Sequence, residues 1–193
     1  MDTRPPKKVL WRRLARRTIR WVEHGLAIVG LLTIVYNLAF DVSVVTSESM
    51  APTLLGNKLE NGDWILTEKV SYWFRDPQRW EVLRIRTDNG AWIVKRVVAL
   101  PGEKIRIEDK VPVIDGEPTP PPREIGFLEY WALGNLFRGA TVPCEDGFYV
   151  MGDDSRDSQD SRFEGPVDRE EIQGRVLFRV WPLGRLGRVD PNT

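Results

Sequence analysis

From Gly25 to Phe40 the chain reads Gly-Leu-Ala-Ile-Val-Gly-Leu-Leu-Thr-Ile-Val-Tyr-Asn-Leu-Ala-Phe, without a charged side chain. Adding Trp21 to His24 brings the run to about the 20 residues that a bilayer core requires, so the sequence predicts one transmembrane helix over residues 21–41. Glu23, His24 and Asp41 would sit at the interfaces with Trp21 as an aromatic anchor, and a run this short implies some thinning or snorkelling. Arg4, Lys7, Lys8, Arg12, Arg13, Arg16, Arg17 and Arg20 crowd the segment before it. The positive-inside rule then puts a basic tail, residues 1–20, in the cytoplasm and residues 42–193 on the far side of a cell (inner) membrane or an organelle membrane. Leu10, Leu14 and Trp21 recur at helical spacing, so the tail is either a helix on an anionic lipid surface or a solvated basic segment. A cleaved leader is the rival reading, but its basic region would be unusually long and no clear small-x-small site follows the run.

The exported part is expected to be a mainly β domain with antiparallel sheets. Short runs rich in β-branched and aromatic residues recur between Gly, Pro and Asp breaks: Trp64 to Thr67, Trp80 to Arg86, Ala91 to Leu100, Lys104 to Glu108, Val111 to Ile114, Phe148 to Met151 and Val176 to Trp181. Asn61-Gly62-Asp63 reads as a turn, and Asp88-Asn89-Gly90 as a hairpin connection. Asp168 to Ile172 could make one helical turn, and Ile125 to Phe137 fits either helix or strand. Pro118 to Pro122 is a proline-rich break, and residues 109–146 read as a peripheral insertion. Its aromatics Phe127, Tyr130, Trp131 and Phe137, like Tyr72-Trp73-Phe74, would either touch the membrane face or pack on the core.

Just after the apolar run lies Thr46-Ser-Glu-Ser-Met-Ala-Pro-Thr-Leu54, with two serines one residue apart and a turn-prone Ala51-Pro52. A serine hydroxyl needs a neighbouring base to become a nucleophile. The only histidine, His24, lies on the other side of the span, and the only cysteine is Cys144 in an apparent loop. A Ser-His-Asp triad, a Cys-His pair, a disulfide within the chain and a Cys/His zinc cluster are thereby set aside. If Ser49 is a nucleophile, its base is a lysine or a carboxylate. Zero net charge gives no general attraction to nucleic acid.

Lys95 and Arg96 are adjacent in the apolar stretch Ala91 to Gly102. Neighbours on a strand face opposite ways, so with one in solvent the other points inward. A buried Lys95 would have a depressed pKa and could be a neutral base for Ser49. The plainer alternative puts both cations on an exposed edge. Met151-Gly-Asp-Asp-Ser-Arg-Asp-Ser-Gln-Asp-Ser-Arg162 is dense in Asp, Ser and Arg. It lacks the spacing of a calcium loop and better fits a structural loop of Asp-Arg pairs with one hydroxyl turned to the lysine.

Three of these stretches, in order, resemble the type I signal peptidases, the membrane-bound Ser-Lys leader peptidases. Ser47 to Leu54 is similar to their Ser-Gly-Ser-Met-x-Pro-Thr-Leu box, Lys95 to Gly102 to their Lys-Arg-Val-x-Gly-x-Pro-Gly box, and Gly152 to Arg162 to their Gly-Asp-Asn-x-x-x-Ser-x-Asp-Ser-Arg box. The resemblance implies Ser49 as nucleophile, Lys95 as general base, and Ser47 with the Ser49 N–H as oxyanion donors. It also implies Ser158 orienting the lysine, supported by an Asp160–Arg162 ion pair, with no metal or cofactor. Implied partners are preprotein signal peptides, cut after small-x-small sites such as Ala-x-Ala, and a lipid bilayer, with no nucleic acid and a monomeric chain. Glu48, Ala99 and Asp154 depart from the boxes. A narrow-substrate Ser-Lys processing enzyme and an inactive membrane-anchored β domain are the competing readings.

Overall fold

The computed structural model describes residues 7–56 and 62–189, with side chains from residue 17 onward. It divides into two units, residues 1–39 and 40–193. In the first, one continuous helix, α1 (Lys7–Ala39), runs through both the basic segment and the apolar run. Its part from Arg17 to Ala39 is long and apolar enough to cross a membrane. Leu26, Ile28, Leu31, Leu32 and Ile34 are all exposed along it. Phe40 and Asp41, assigned to the span by hydropathy, instead open a strand. They follow the last helical residue and pair by register with Glu68 and Thr67, which hydropathy does not see.

The second unit holds two antiparallel sheets. Its strands are β1 (Phe40–Val44), β2 (Trp64–Glu68), β3 (Val82–Arg86), β4 (Trp92–Ala99), β5 (Lys104–Glu108), β6 (Val111–Ile114), β7 (Glu117–Pro118), β8 (Val142–Pro143), β9 (Tyr149–Met151), β10 (Ile172–Trp181) and β11 (Gly187–Arg188). The larger sheet runs β1-β2-β10-β3-β4-β9, with β11 beside β10, and the smaller runs β7-β6-β5-β8. The expected mainly β, antiparallel class is what the chain adopts. Its long strands are dense in Val and Ile, which fit a pleated, half-buried surface. The β3–β4 connection is the expected Asp88-Asn89-Gly90 turn. Gly90 takes φ +81, and Thr87 N–H donates to the Ala91 carbonyl at 2.9 Å. Of the other expected turn, Asn61 lies outside the described residues.

Asp168 to Ile172 does make a single turn, 3-10 over Arg169–Glu171, whereas Ile125 to Phe137 is neither a long helix nor a strand. The segment 109–146 is built into the body. Ile114, Ile125, Leu128, Tyr130, Leu136 and Cys144 join Val98, Ile105, Tyr149 and Met151 in one buried cluster. Burial also pushes the Cys144 thiol up to about 12, so it is an inert core residue. The aromatic runs divide: Tyr72 and Tyr130 are buried, while Trp73, Phe74, Phe127 and Phe137 are exposed.

From Lys95 onward β4 lies inside the protein, whereas Trp92 at its start is exposed. Val97 packs with Leu83, Ile85 and Val150, whereas Val98 packs with Ile105 and Tyr130 in a separate cluster, so the strand is covered on both faces. For that reason Lys95 and Arg96 are both buried, at 4% and 0% exposure. The alternation argument, which left one of them in solvent, fails because from Lys95 onward this strand has no solvent face.

Candidate active site

Ser49 sits in a 3-10 turn, Glu48–Met50, directly after the extended chain that continues β1. Met50 and Leu54 anchor the turn by entering the cluster of Val45, Ile65 and Val82. The Ala51 N–H donates to the Glu48 carbonyl at 2.8 Å and the Leu54 N–H to the Met50 carbonyl at 2.8 Å. With the apolar neighbour pulled inward and the backbone closed on itself, the Ser49 side chain has little freedom. Its Oγ lies 2.7 Å from Lys95 Nζ and 3.1 Å from Ser47 Oγ.

Lys95 reaches this point from the middle of β4, opposite Leu83 of β3. A second hydroxyl, Ser158 Oγ, lies 3.1 Å from its Nζ. Removal from water is the largest influence on this amine and lowers its pKa, partly opposed by the Asp160 carboxylate. A neutral amine hydrogen-bonded between two hydroxyls can accept a proton from one of them, which a permanently charged lysine cannot.

The loop carrying Ser158 leaves β9 and is fixed by two buried ion pairs. Asp160 caps the short helix α2 (Ser161–Glu164) and takes bidentate donation from Arg162, from Nε at 2.8 Å and Nη2 at 2.7 Å. The same carboxylate accepts from the Gly152 N–H at 3.0 Å. Arg162 also donates through Nη1 to the Ser155 carbonyl at 2.6 Å. The second pair, Arg96–Asp153, is also bidentate, at 2.8 and 2.6 Å, and Arg96 Nη1 donates to the Trp80 carbonyl at 2.8 Å. Both pairs have side chains at 0% exposure, a costly placement that becomes tolerable when the charges satisfy each other geometrically.

This loop also holds the serine turn. The Asp154 N–H donates to the Ser49 carbonyl at 3.0 Å. Gly152 passes so close that an added Cβ would lie 2.4 Å from that carbonyl oxygen and 2.3 Å from Ser158 Oγ. No side chain fits there.

Every site residue expected from the sequence, Ser47, Ser49, Lys95, Ser158, Asp160 and Arg162, falls in one connected arrangement. Sequence reasoning did not find the Arg96–Asp153 pair or the close approach at Gly152. The pair had a legible cue, since an arginine in so apolar a strand needs a carboxylate partner, but nothing in the sequence says which of the many aspartates supplies it.

Beside the serine lies a cleft of ≈ 450 Å³ between residues 43–47 and 92–95. Val44, Val45, Met50, Ile65, Ile93 and Val94 give it apolar walls. β9 pairs with β4 only from Arg96 onward, so among the described residues no strand pairs with Trp92 to Lys95 on the side away from β3. That stretch of backbone is open to an extended peptide.

Residues 18–181 match the family described as signal peptidase, peptidase S26. The chain is 33% identical to a signal peptidase I of Leptolyngbya laminosa over 86% of this chain and 81% of that one. It is 30% identical to a probable signal peptidase I-2 of Synechocystis, over 86% and 76%. A solved signal peptidase I from Enterococcus faecalis V583 aligns over 52% of this chain and 97% of that one, at 24% identity and a TM-score of 0.41, a likeness too low to inform the fold.

Proposed function

The chain belongs to the signal peptidases of the peptidase S26 family and is a serine endopeptidase that removes signal peptides; from that premise we propose that it works by a Ser49–Lys95 dyad, anchored in the cell (inner) membrane by α1. The observation that carries this reading is the Lys95 amine, buried and 2.7 Å from Ser49 Oγ.

In the proposed reaction Ser49 Oγ attacks the scissile carbonyl while its proton passes to the neutral Lys95 amine. The oxyanion that develops is met by the Ser47 hydroxyl and the Ser49 N–H. Lys95, now an ammonium, gives its proton to the leaving amine of the mature protein, and the acyl chain stays on Ser49. A water then attacks the ester. Its proton goes to Lys95 and on to Ser49 Oγ, which leaves as the alcohol and restores the starting state. Ser158 keeps the lysine amine aimed at Ser49, and the Asp160–Arg162 and Arg96–Asp153 pairs hold the Ser158 loop in place.

Specificity follows from strand geometry. A signal peptide adding itself to the open backbone of Trp92 to Lys95 would be read by alternate side chains, because successive residues of a strand face opposite ways. The residue before the cut and the one two positions earlier then enter the narrow apolar cleft, and the residue between them faces away. A cleft of ≈ 450 Å³ shared by peptide backbone and two side chains favours small ones, which is the small-x-small pattern.

The anchoring part rests on α1. Its apolar side chains are exposed to whatever surrounds the helix, and lipid covers such a surface where water would not. The basic cluster before it favours a cytoplasmic N-terminus with the β unit outside. The proposed partners are preprotein signal peptides and the bilayer, with no nucleic acid and a monomeric chain.

The test is cleavage of an Ala-x-Ala preprotein by the detergent-solubilised full chain, beside Ser49→Ala. Cleavage at that bond by the wild type alone is the expected result. Equal cleavage by Ser49→Ala would remove Ser49 from the reaction.

A further inference from the structure

A second groove, of ≈ 470 Å³, lies against the end of the serine turn. The apolar cleft beside β4 is lined by Ser47 and Met50, whereas this groove is lined by Ala51 and Pro52, the next residues of the same turn. The two share no lining residue. Asp154, also in the groove wall, is the residue whose N–H holds the Ser49 carbonyl. The groove therefore borders the later residues of the turn that carries Ser49 and the loop that holds it.

The groove is prearranged. Its aromatic wall, Trp131, is tied at both backbone atoms to the loop that carries Ser158. The Trp131 N–H donates to Ser155 Oγ at 2.8 Å, and Arg162 Nη1 donates to the Trp131 carbonyl at 3.1 Å. The Arg156 guanidinium lies over the Trp131 ring, 4.3 Å from its centroid.

The charges around the groove are unequally committed. Asp153 is consumed by Arg96. Glu129 pairs with Lys110 at 2.8 Å, and the Asp154 carboxylate accepts from the Arg156 backbone N–H at 3.2 Å. Among the described residues the Arg156 guanidinium has no carboxylate partner, and the residue is exposed at the groove. An arginine stacked on an aromatic ring keeps its N–H edge free for a carboxylate while losing little side-chain freedom on binding.

We propose that this groove receives the first residues of the mature protein, just beyond the cleaved bond, and that Arg156, stacked on Trp131, selects an acidic side chain there. The inference rests on Ser49 being the nucleophile and on the first cleft holding the signal-peptide side. Arg156 is then a specificity-determining residue for the leaving half of the substrate.

The experiment uses two forms of one Ala-x-Ala preprotein, with Asp or with Lys at the second and third positions after the cut, and the full-length enzyme in detergent. An exposed ion pair contributes up to about 1 kcal/mol, so kcat/KM is expected to favour the acidic form by up to about fivefold. Arg156→Gln should bring the ratio close to one, Arg156→Glu should reverse it, and added salt should shrink it in the wild type. A wild-type ratio near one, or a ratio unchanged in both variants, overturns the groove assignment and leaves the peptidase reading standing. Failure of the wild type to cut either form overturns the peptidase reading and this inference with it.

Discussion

Lys95 Nζ and Ser49 Oγ lie 2.7 Å apart at a place where Lys95 is only 4% exposed, so the proton shared between them is held largely out of water. Desolvation moves the lysine pKa below its ordinary value of 10.5. Protonated, the amine has no lone pair to offer the serine. Activity is therefore lost below the depressed pKa and rises as pH increases through it. The expected pH profile of kcat/KM has an ascending limb with its midpoint below 10.5, read by initial rates on a preprotein whose own charge is constant over the range. An ascending limb centred at the ordinary lysine value would contradict a buried base.

The same burial makes a prediction about stability. The folded-state pKa of Lys95 lies below the unfolded one, so between the two values the unfolded chain binds more protons. The group thus opposes folding most strongly at pH values below its folded pKa, and the penalty disappears as pH rises past the unfolded value. Lys95→Met, close in length and uncharged, is expected to be inactive but more resistant to urea than the wild type at pH 6. That advantage should narrow towards pH 10. A constant difference across the range would show that Lys95 carries no such linkage.

Gly152 is where the loop and the nucleophile touch. In Gly152→Ala the new methyl would fall 2.4 Å from the Ser49 carbonyl oxygen, which is backbone and cannot swing away. The serine turn or the loop must move by a substantial fraction of an ångström. Misplacement on that scale costs about 10- to 100-fold in rate, and kcat should fall with circular dichroism preserved. Wild-type kcat in this variant would mean that the loop and the serine turn are not locked together at Gly152.

How far the site could be read from the chain depended on whether each residue's role was local. Ser47 and Ser49 are separated by one residue and share one turn, so their pairing was visible in the sequence. The β3–β4 hairpin was legible for the same reason, since Asp88-Asn89-Gly90 carries its own turn geometry. Lys95 was identified as a candidate, but its burial beside Arg96 was not, because alternation assumes one wet face and β4 has none from Lys95 onward. Residues 109–146 looked peripheral because their signal is broken by Pro118 to Pro122. In the structure Ile125, Leu128, Tyr130 and Leu136 complete a cluster with β4 and β5 residues, a matter of long-range packing. β1 escaped notice because Phe40 and Asp41 read as the end of the apolar run, and only pairing with β2 makes them a strand.

Arg96 and Asp153 provide the last test, since they join β4 to the loop below the serine with both side chains at 0% exposure. Asp153→Ala leaves the Arg96 charge buried with its Trp80 carbonyl contact but without its bidentate partner. Stranding a buried charge in this way costs about 3–5 kcal/mol, so the variant should unfold at markedly lower urea in detergent. Replacing both residues with apolar ones of similar volume, Arg96→Met with Asp153→Leu, removes the stranded charge and should recover much of that loss. Activity should not recover with it. The Asp153 to Asp154 backbone holds the Ser49 carbonyl, and without the ion pair its register on the serine turn is no longer fixed. Thermal or urea titration separates the two effects: a double variant as unstable as Asp153→Ala would show that the pair, and not the lone charge, is what the fold depends on.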